Sequence, residues 1–407
     1  MHVFALCLLG LASAAVIQKR DDFGDGEPID EATGKGASIL GTNQDLGGTN
    51  HQLDLQNPAN LGQQSTDAGY VPNLKWSFSD SKTDIYPGGW MREQVVSDMP
   101  QSTDIAGAQQ HLQKGAIREL HWHRTAEWGY LYNGSILLSA VDEQGRYQID
   151  TLVAGDAWYF PAGIAHTIQG LDDENEYLLA FDDADFEAQG TTFMVDDWVV
   201  HTPRDILAQN LGVHASVFDS VPPVYPYILN GTVSADTNDT STRVGNSSFV
   251  YHAQDHPLEN IAGSGGTYRR IDSSTFPVAT TLAAGIFSLE PKTLREMHWH
   301  PNGQEWLYFQ KGTAQATVFI GGQKARTYDF QAGDVGVFPV NSGHYIKNTS
   351  EDEELIWVSI FKSDKVEDIS LTQWLALTPH DVVATVLNIP VSVVDQLKTQ
   401  KQVLISG

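Results

Sequence analysis

A chain that repeats itself over most of its length must fold as two similar units joined end to end, and this sequence does so. GAIRELHWHRTAEW at 115–128 recurs as PKTLREMHWHPNGQEW at 291–306, and GDAWYFPAGIAH at 155–166 recurs as GDVGVFPVNSGH at 333–344. The offset is 177 from His121 to His298 and 178 from His166 to His344. Arg92 and Arg269, like Pro100 and Pro277, also stand 177 apart. Downstream, WVVHTPRDILAQNLGV at 198–213 echoes WLALTPHDVVATVLNIP at 374–390, so the repeat takes in a whole domain and a helical segment at its end. The chain of 407 residues is long enough for two full cores.

Both copies read as short strands with period-2 alternation between Gly, Pro, Asn and Asp turns, as in SILLSAV at 135–141, EYLLAF at 176–181 and ATVFIGG at 316–322. Helical signals are confined to the ends of the halves, where Thr-Pro at 202–203 and 378–379 starts each segment. The pattern predicts an all-β protein of two tandem sandwiches or closed barrels with short terminal helices. The expected layout is a leader over 1–20, an extended arm over 21–85 lying on a barrel, and a first barrel over 86–220. A Pro-, Asn-, Thr- and Asp-rich linker then covers 221–262, and a second barrel with C-terminal helices covers 263–407.

The start, MHVFALCLLGLASAAV, has a short apolar run from Val3 to Leu11 followed by small residues, which reads as a secretory signal and is too short to span a bilayer. Lys19-Arg20 suggests a processed pro-segment. The only cysteine, Cys7, falls inside that signal, so disulfide and thiolate chemistry are excluded from the rest. Sequons stand at Asn133, Asn230, Asn238, Asn246 and Asn348, three of them in the linker, which predicts a secreted, extracellular glycoprotein. The net charge of -27 argues against nucleic acid and anionic membranes as partners. An anionic substrate would need cations of its own within the site.

His121 and His123 are two residues apart, and on a strand such residues share a face, so both imidazoles can reach one ion. Glu127 follows beyond the strand end, and His166 comes 39 residues after it, behind a turn marked by Pro161 and Gly163. The second copy supplies His298, His300, Glu305 and His344, again with 39 residues from the Glu to the last His. Two sets at nearly fixed spacing predict two metal sites. Three His and one Glu leave open positions on an octahedral ion, and a set without thiolate fits Mn or Fe better than structural Zn. Spacing does not separate Mn from Fe, Cu or catalytic Zn.

The runs G-x5-H-x-H-x3-E-x6-G (Gly115 to Gly134) and G-x5-P-x-G-x2-H (Gly155 to His166) resemble the two cupin motifs. NLKWSFSDS at 73–81, IRELHWH, GDAWYFPAGIAHTIQG, EMHWHPNGQEW, QAGDVG and SLTQWLA at 370–376 resemble bicupins of the oxalate decarboxylase family. That resemblance implies two tandem cupin (jelly-roll-like) β-barrels with one Mn2+ in each, O2 as a cofactor, oxalate as substrate and formate and CO2 as products. It also implies a homo-oligomer assembled through the terminal helices. Arg118 and Arg295, three residues before the first His of each set, would hold the oxalate carboxylate, as a planar, permanently charged guanidinium can. Spacing alone does not put them there, because i and i+3 face opposite ways on a regular strand.

The resemblance also locates a mobile lid with the general acid after Phe181-Asp182-Asp183. Thr192-Phe193 matches its end and makes Thr192 a substrate-binding candidate, but the stretch from Glu187 to Thr191 is one residue longer than in relatives. Glu187 is the candidate acid, and Gly190 would let the lid move. In the second half Ser359 stands where relatives carry a Glu, so that barrel is expected to bind metal without running the decarboxylation. Trp122 and Trp299 fill the core or support electron transfer. The alternatives are an oxalate oxidase giving CO2 and hydrogen peroxide, or a non-catalytic metal-binding bicupin.

Overall fold

A computed structural model describes residues 65–221, 226–234, 242–243 and 248–407. The expected leader and most of the arm lie outside the described residues. Strands dominate, as the alternation predicts, but each half is a pair of open sheets in a jelly-roll-like arrangement and not a closed barrel. In the first half one sheet runs Val250–Tyr251, Ala157–Phe160, Glu127–Asn133, Glu174–Phe181, Ala106–Gln113, Gly89–Gln94, Thr83–Tyr86. Its partner runs Thr192–Met194, Ile117–His123, Ala165–Gly170, Ser135–Val141, Tyr147–Val153, Thr242–Arg243. The second half repeats the plan, with Asp334–Phe338, Glu305–Lys311, Leu355–Phe361, Ala283–Leu289 and Gly266–Ile271 facing a sheet centred on Leu294–Trp299 and Gly343–Asn348.

Segments from outside the repeats cover the sheet edges, which would otherwise offer unpaired N–H and C=O groups. Ile228–Leu229, Thr242–Arg243 and Val250–Tyr251, all in the expected linker, pair with first-half strands. His252 then clamps that segment, with ring nitrogens 3.0 Å from Asp156 and 3.2 Å from Asp150. The described part of the arm lies on the second half: Ala68 bridges Ala325, and Lys75–Ser77 pairs with Asp334–Gly336 before the chain enters the first half.

Each half has its own core between its sheets, and a third cluster joins the halves through Phe78, Trp128, Tyr159, Phe276, Trp306 and Ile360. Trp306 donates its indole N–H to Gln94 Oε1 at 2.8 Å, and its ring lies so close to Gly107 that an added Cβ would sit 2.3 Å away. Only glycine fits there. The helices begin as the Thr-Pro signals predict, with Pro203 and Pro379 at the N-caps of Arg204–Leu211 and His380–Leu387. Gly212 and Asn388 end them in left-handed conformations. Among the described residues no helix is long and apolar enough to cross a membrane. Asn348, one of the sequons, is fully buried and donates to the carbonyls of Leu289, Glu290 and Glu353, so it cannot carry a glycan in the folded protein.

The arm is held by Lys75, whose ammonium lies 2.8 Å from Asp334 and donates to the Asp329 carbonyl at 2.8 Å, with both members of the ion pair buried. Burial still holds the Asp334 pKa above its usual value. Removing one member of a buried pair strands the other. Lys75→Met is therefore expected to lower stability by about 3 kcal/mol in chemical denaturation, and Lys75→Met with Asp334→Asn to recover part of that loss.

Candidate metal and substrate sites

The site is built on one irregular strand in each half. In Ile117–His123 the alternation turns His121 and His123 inward and leaves Trp122 outside, stacked on Phe193 at 5.5 Å. The strand pairs with Ala165–Gly170 as His166 opposite His121 and Ile168 opposite Arg118. Three steps on one strand thus face two on the other, a β-bulge that shifts the alternation between Glu119 and His121. The bulge resolves the i, i+3 objection: Arg118 and His121 both point into the same buried space. The second half repeats it, with Arg295 opposite Ile346 and His298 opposite His344. The extra residue between His300 and Glu305 is taken up in the intervening turn, because Glu305 keeps the register of Glu127. Each lies opposite a Phe on both neighbouring strands: Phe160 and Phe181 for Glu127, Phe338 and Phe361 for Glu305.

The four predicted ligands of each half come together, buried, with their ligand atoms within 4.8 Å of one another. Every Nδ1 is fixed from behind. His121 donates to the Glu119 carbonyl at 2.6 Å, His166 to the Ile164 carbonyl at 2.8 Å and His123 to Thr192 Oγ1 at 2.9 Å. His298, His300 and His344 likewise donate to the carbonyls of Glu296, Glu367 and Ser342. These bonds leave each Nε2 lone pair turned inward. The inward atoms of His123, His166, His300, His344 and Glu305 are buried without a hydrogen-bond partner. Glu127 Oε2 lies 3.1 Å from His123 Nε2 and 3.4 Å from His166 Nε2. Ligands about 2.1 Å from one ion at right angles stand about 3 Å apart, so these are coordination spacings. Glu127 Oε1 is fixed by the Trp158 indole N–H at 2.9 Å.

The protonation states suit a cation. Burial holds the His121 pKa well below its usual value and that of His123 at about 4, so both rings are neutral donors at ordinary pH. Burial pushes Glu127 up, but the His166 and His123 rings outweigh it and keep the carboxyl below the usual carboxylate range. Neutral imidazoles with one carboxylate, and no thiolate, fit manganese.

The two cavities differ beyond the metal ligands. Arg118 is buried with its guanidinium 3.6 Å from the Tyr227 ring, and it donates to Met194 Sδ and the Tyr227 carbonyl. Among the described residues no carboxylate pairs with it. Arg295 also lines its cavity, but it pairs with Asp368, which is shared with Lys401, and donates to the Val403 carbonyl. The expectation that Arg295 holds a substrate carboxylate therefore meets a carboxylate already in place. Thr192, expected to bind substrate, instead lies directly opposite His123 in the strand register and engages its Nδ1 from behind.

Glu187, the expected acid, is exposed and does not line the cavity; Phe186 does, stacked on Phe181 with ring centroids 3.4 Å apart. The Thr191 hydroxyl donates to the Phe186 and Ala188 carbonyls and holds this arrangement. Ser359 is buried and accepts the Trp357 indole N–H at 3.0 Å. Trp122 and Trp299 meet Trp198 and Trp374 edge to face at 5.7 Å.

Among the cavity residues that sequence reasoning missed, Tyr227 and Gln110 carry hydrogen-bonding groups. Tyr227 sits in the expected linker at φ 56, strained for a tyrosine, and its N–H is held by Glu119 at 3.2 Å. Gln110 lies on the Ala106–Gln113 strand in a run that carries no motif. The 177-residue offset that matches Arg118 to Arg295 sets Gln110 against Phe287 and would have drawn attention to it.

Two jelly-roll halves with one His3Glu site each define a tandem cupin metalloprotein, and the cupin family profile matches residues 77–217 and 252–395. The chain belongs to the bicupin oxalate decarboxylase family. It is 55% identical over 384 residues to a protein of Arthroderma benhamiae described as "Probable oxalate decarboxylase", covering 94% of this chain and 93% of that one. It is 49% identical to an oxalate decarboxylase of the same organism, with 99% of both chains covered. A solved structure of Bacillus subtilis oxalate decarboxylase, a protein with Mn(II) centres, superposes with a TM-score of 0.82 at 39% identity, covering 88% of this chain and 94% of that chain.

If the inward atoms serve a metal, Glu127→Gln should reduce bound manganese from two to one per chain by elemental analysis. The metal-free protein should lose stability as pH falls. The unfolded imidazoles take protons below about 6.5, whereas folded His123 stays neutral down to about 4. The denaturation midpoint should decline across that window, with His123 contributing about 3 kcal/mol, and manganese should suppress the decline.

Proposed function

We propose that the first half converts oxalate to formate and CO2, and that the second half binds metal without turning over substrate. The observation that carries this reading is the state of the two arginines: Arg118 faces a cavity without a carboxylate partner among the described residues, and Arg295 is ion-paired to Asp368. A buried cation without a counter-ion favours an anion that can enter, and a planar guanidinium matches a carboxylate. Manganese held by His121, His123, Glu127 and His166 would supply a Lewis-acidic, redox-active anchor for oxalate, with O2 as the expected further cofactor. Arg118 holds a carboxylate and orients the scissile C–C bond. Phe181, Phe186 and Leu179 exclude water, which strengthens that hold.

The overall change, oxalate dianion plus one proton to formate and CO2, needs an acid at the carbon that loses CO2. Glu187 fills that role if the segment from Phe186 to Gly190 turns so that Glu187 replaces Phe186 at the cavity. Gly190 supports such a turn: its φ is 81, and no atom lies within 4 Å of where a Cβ would sit. The position of Glu187 outside the cavity keeps the oxidase reading as the second choice, because without an internal proton donor both carbons leave as CO2 and O2 is reduced to peroxide.

The protein is further proposed to be secreted and glycosylated, on the strength of its apolar leader and of sequons such as Asn133 and Asn230, whose side chains are exposed. Assembly into a homo-oligomer is supported by exposed apolar residues on the terminal helices, among them Trp198, Leu211, Leu377 and Val386.

The manganese-loaded protein under air should give about one formate per oxalate with little peroxide. Arg118→Lys, which loses the planar fork, should lower kcat/KM about a hundredfold, while Arg295→Lys should stay within about threefold. Glu187→Gln should move the product from formate to peroxide. Equal losses in the two arginine variants would overturn the assignment to the first half, and unchanged formate yield in Glu187→Gln would remove Glu187 as the acid.

A further inference from the structure

The two cavities share ligands, bulge and arginine, and one cross-strand pair beside them differs in polarity. In the first half Tyr177 stands opposite Gln110; at the same register in the second half Trp357 stands opposite Phe287. The second pair is an apolar stack, with ring centroids 4.7 Å apart and planes at 8°, and Tyr268 continues it on the other face of Phe287. The first pair is polar, and Tyr177 donates its phenolic O–H to Gln110 Oε1 at 2.9 Å. Each of Gln110 and Phe287 lines the cavity of its own half.

This pair fixes which end of the amide meets a ligand. Burial pushes the Tyr177 phenol far above its usual pKa, so the hydroxyl keeps its proton and remains a donor. Gln110 Oε1 is thereby occupied as an acceptor, and the two N–H groups on Nε2 are the free end. Gln110 is buried, and Nε2 has no hydrogen-bond partner among the described residues. The fold does not require a polar side chain there, since Phe287 fills the same place in the second half. A polar pair kept in the cavity whose arginine has no carboxylate partner, and absent from the one whose arginine is ion-paired to Asp368, has the character of a ligand contact.

We infer that Gln110, oriented by Tyr177, is a substrate-binding residue of the first cavity, its Nε2 N–H donating to the oxalate carboxylate that Arg118 does not hold. This rests on the reading of the first half as the oxalate site. Gln110 and Arg118 then read the two ends of a dicarboxylate, and formate, with one carboxylate, engages Arg118 alone. Tyr177 is a positioning residue that acts through Gln110.

The test is calorimetric binding of oxalate and of formate to the manganese-loaded protein without oxygen, so that turnover does not intervene. Gln110→Met is close in volume and removes the donor, in a place where the second half already tolerates an apolar side chain. Its Kd for oxalate should rise about tenfold or more, with that for formate changed less than about twofold. Gln110→Glu replaces the donor by an acceptor of the same shape and should weaken oxalate further. Tyr177→Phe should move oxalate binding in the same direction by a smaller factor, with two manganese ions per chain retained in every variant. Oxalate binding to Gln110→Met within twofold of the parent would overturn the inference, as would equal weakening of oxalate and formate. A parent protein that binds no oxalate would overturn the functional reading beneath it, an outcome visible before any variant is compared.

Discussion

Each half of the protein buries three imidazoles and a carboxylate with their ligand atoms turned toward one point, a constraint that only a cation satisfies. Burial keeps His121, His123 and His298 neutral, and hydrogen bonds on every Nδ1 leave the opposite lone pairs nowhere to go but inward. Glu127 and Glu305 bring one carboxylate to each set. A metal bound to these inward atoms stabilises the folded chain over the unfolded one, so metal binding and folding are linked.

The β-bulge brings an arginine into each metal cavity. On a regular strand Arg118 would face away from His121. The three-against-two register at Glu119 and Leu120 turns the guanidinium into the cavity beside the ligands. The same bulge in the second half delivers Arg295 to a place where Asp368 awaits it. The same four-ligand set therefore stands beside an arginine without a carboxylate partner in one half and beside an ion-paired arginine in the other. The cost of a free buried arginine is offset by the aromatic face of Tyr227, which shields the charge without neutralising it.

Much of this was legible in the sequence. The repeat set the domain plan, the H-x-H pairs put two imidazoles on one strand face, and the repeated 39-residue spacing tied Glu127 to His166 and Glu305 to His344. Thr-Pro correctly marked the helix starts. Contacts between segments distant in sequence were not legible. The expected linker supplies edge strands and Tyr227, and the described part of the arm lies on the second half, because sheet edges recruit whatever segment passes them. A bulge has no residue signature here, so the direction of Arg118 could not be read from spacing. Thr192 was misplaced because its register opposite His123, which directs the hydroxyl to the back of the ring, depends on strand pairing. Asn348 fits a sequon by composition, yet its amide closes a turn in the core.

The most direct measurement is manganese EPR on protein carrying two Mn(II) per chain, titrated with oxalate in the absence of oxygen. The account expects the signal of one ion, the one lost in Glu127→Gln, to change with oxalate while the other stays as it was. If both signals respond alike, or if only the second-half ion responds, the asymmetry between Arg118 and Arg295 does not govern substrate binding and the account is contradicted.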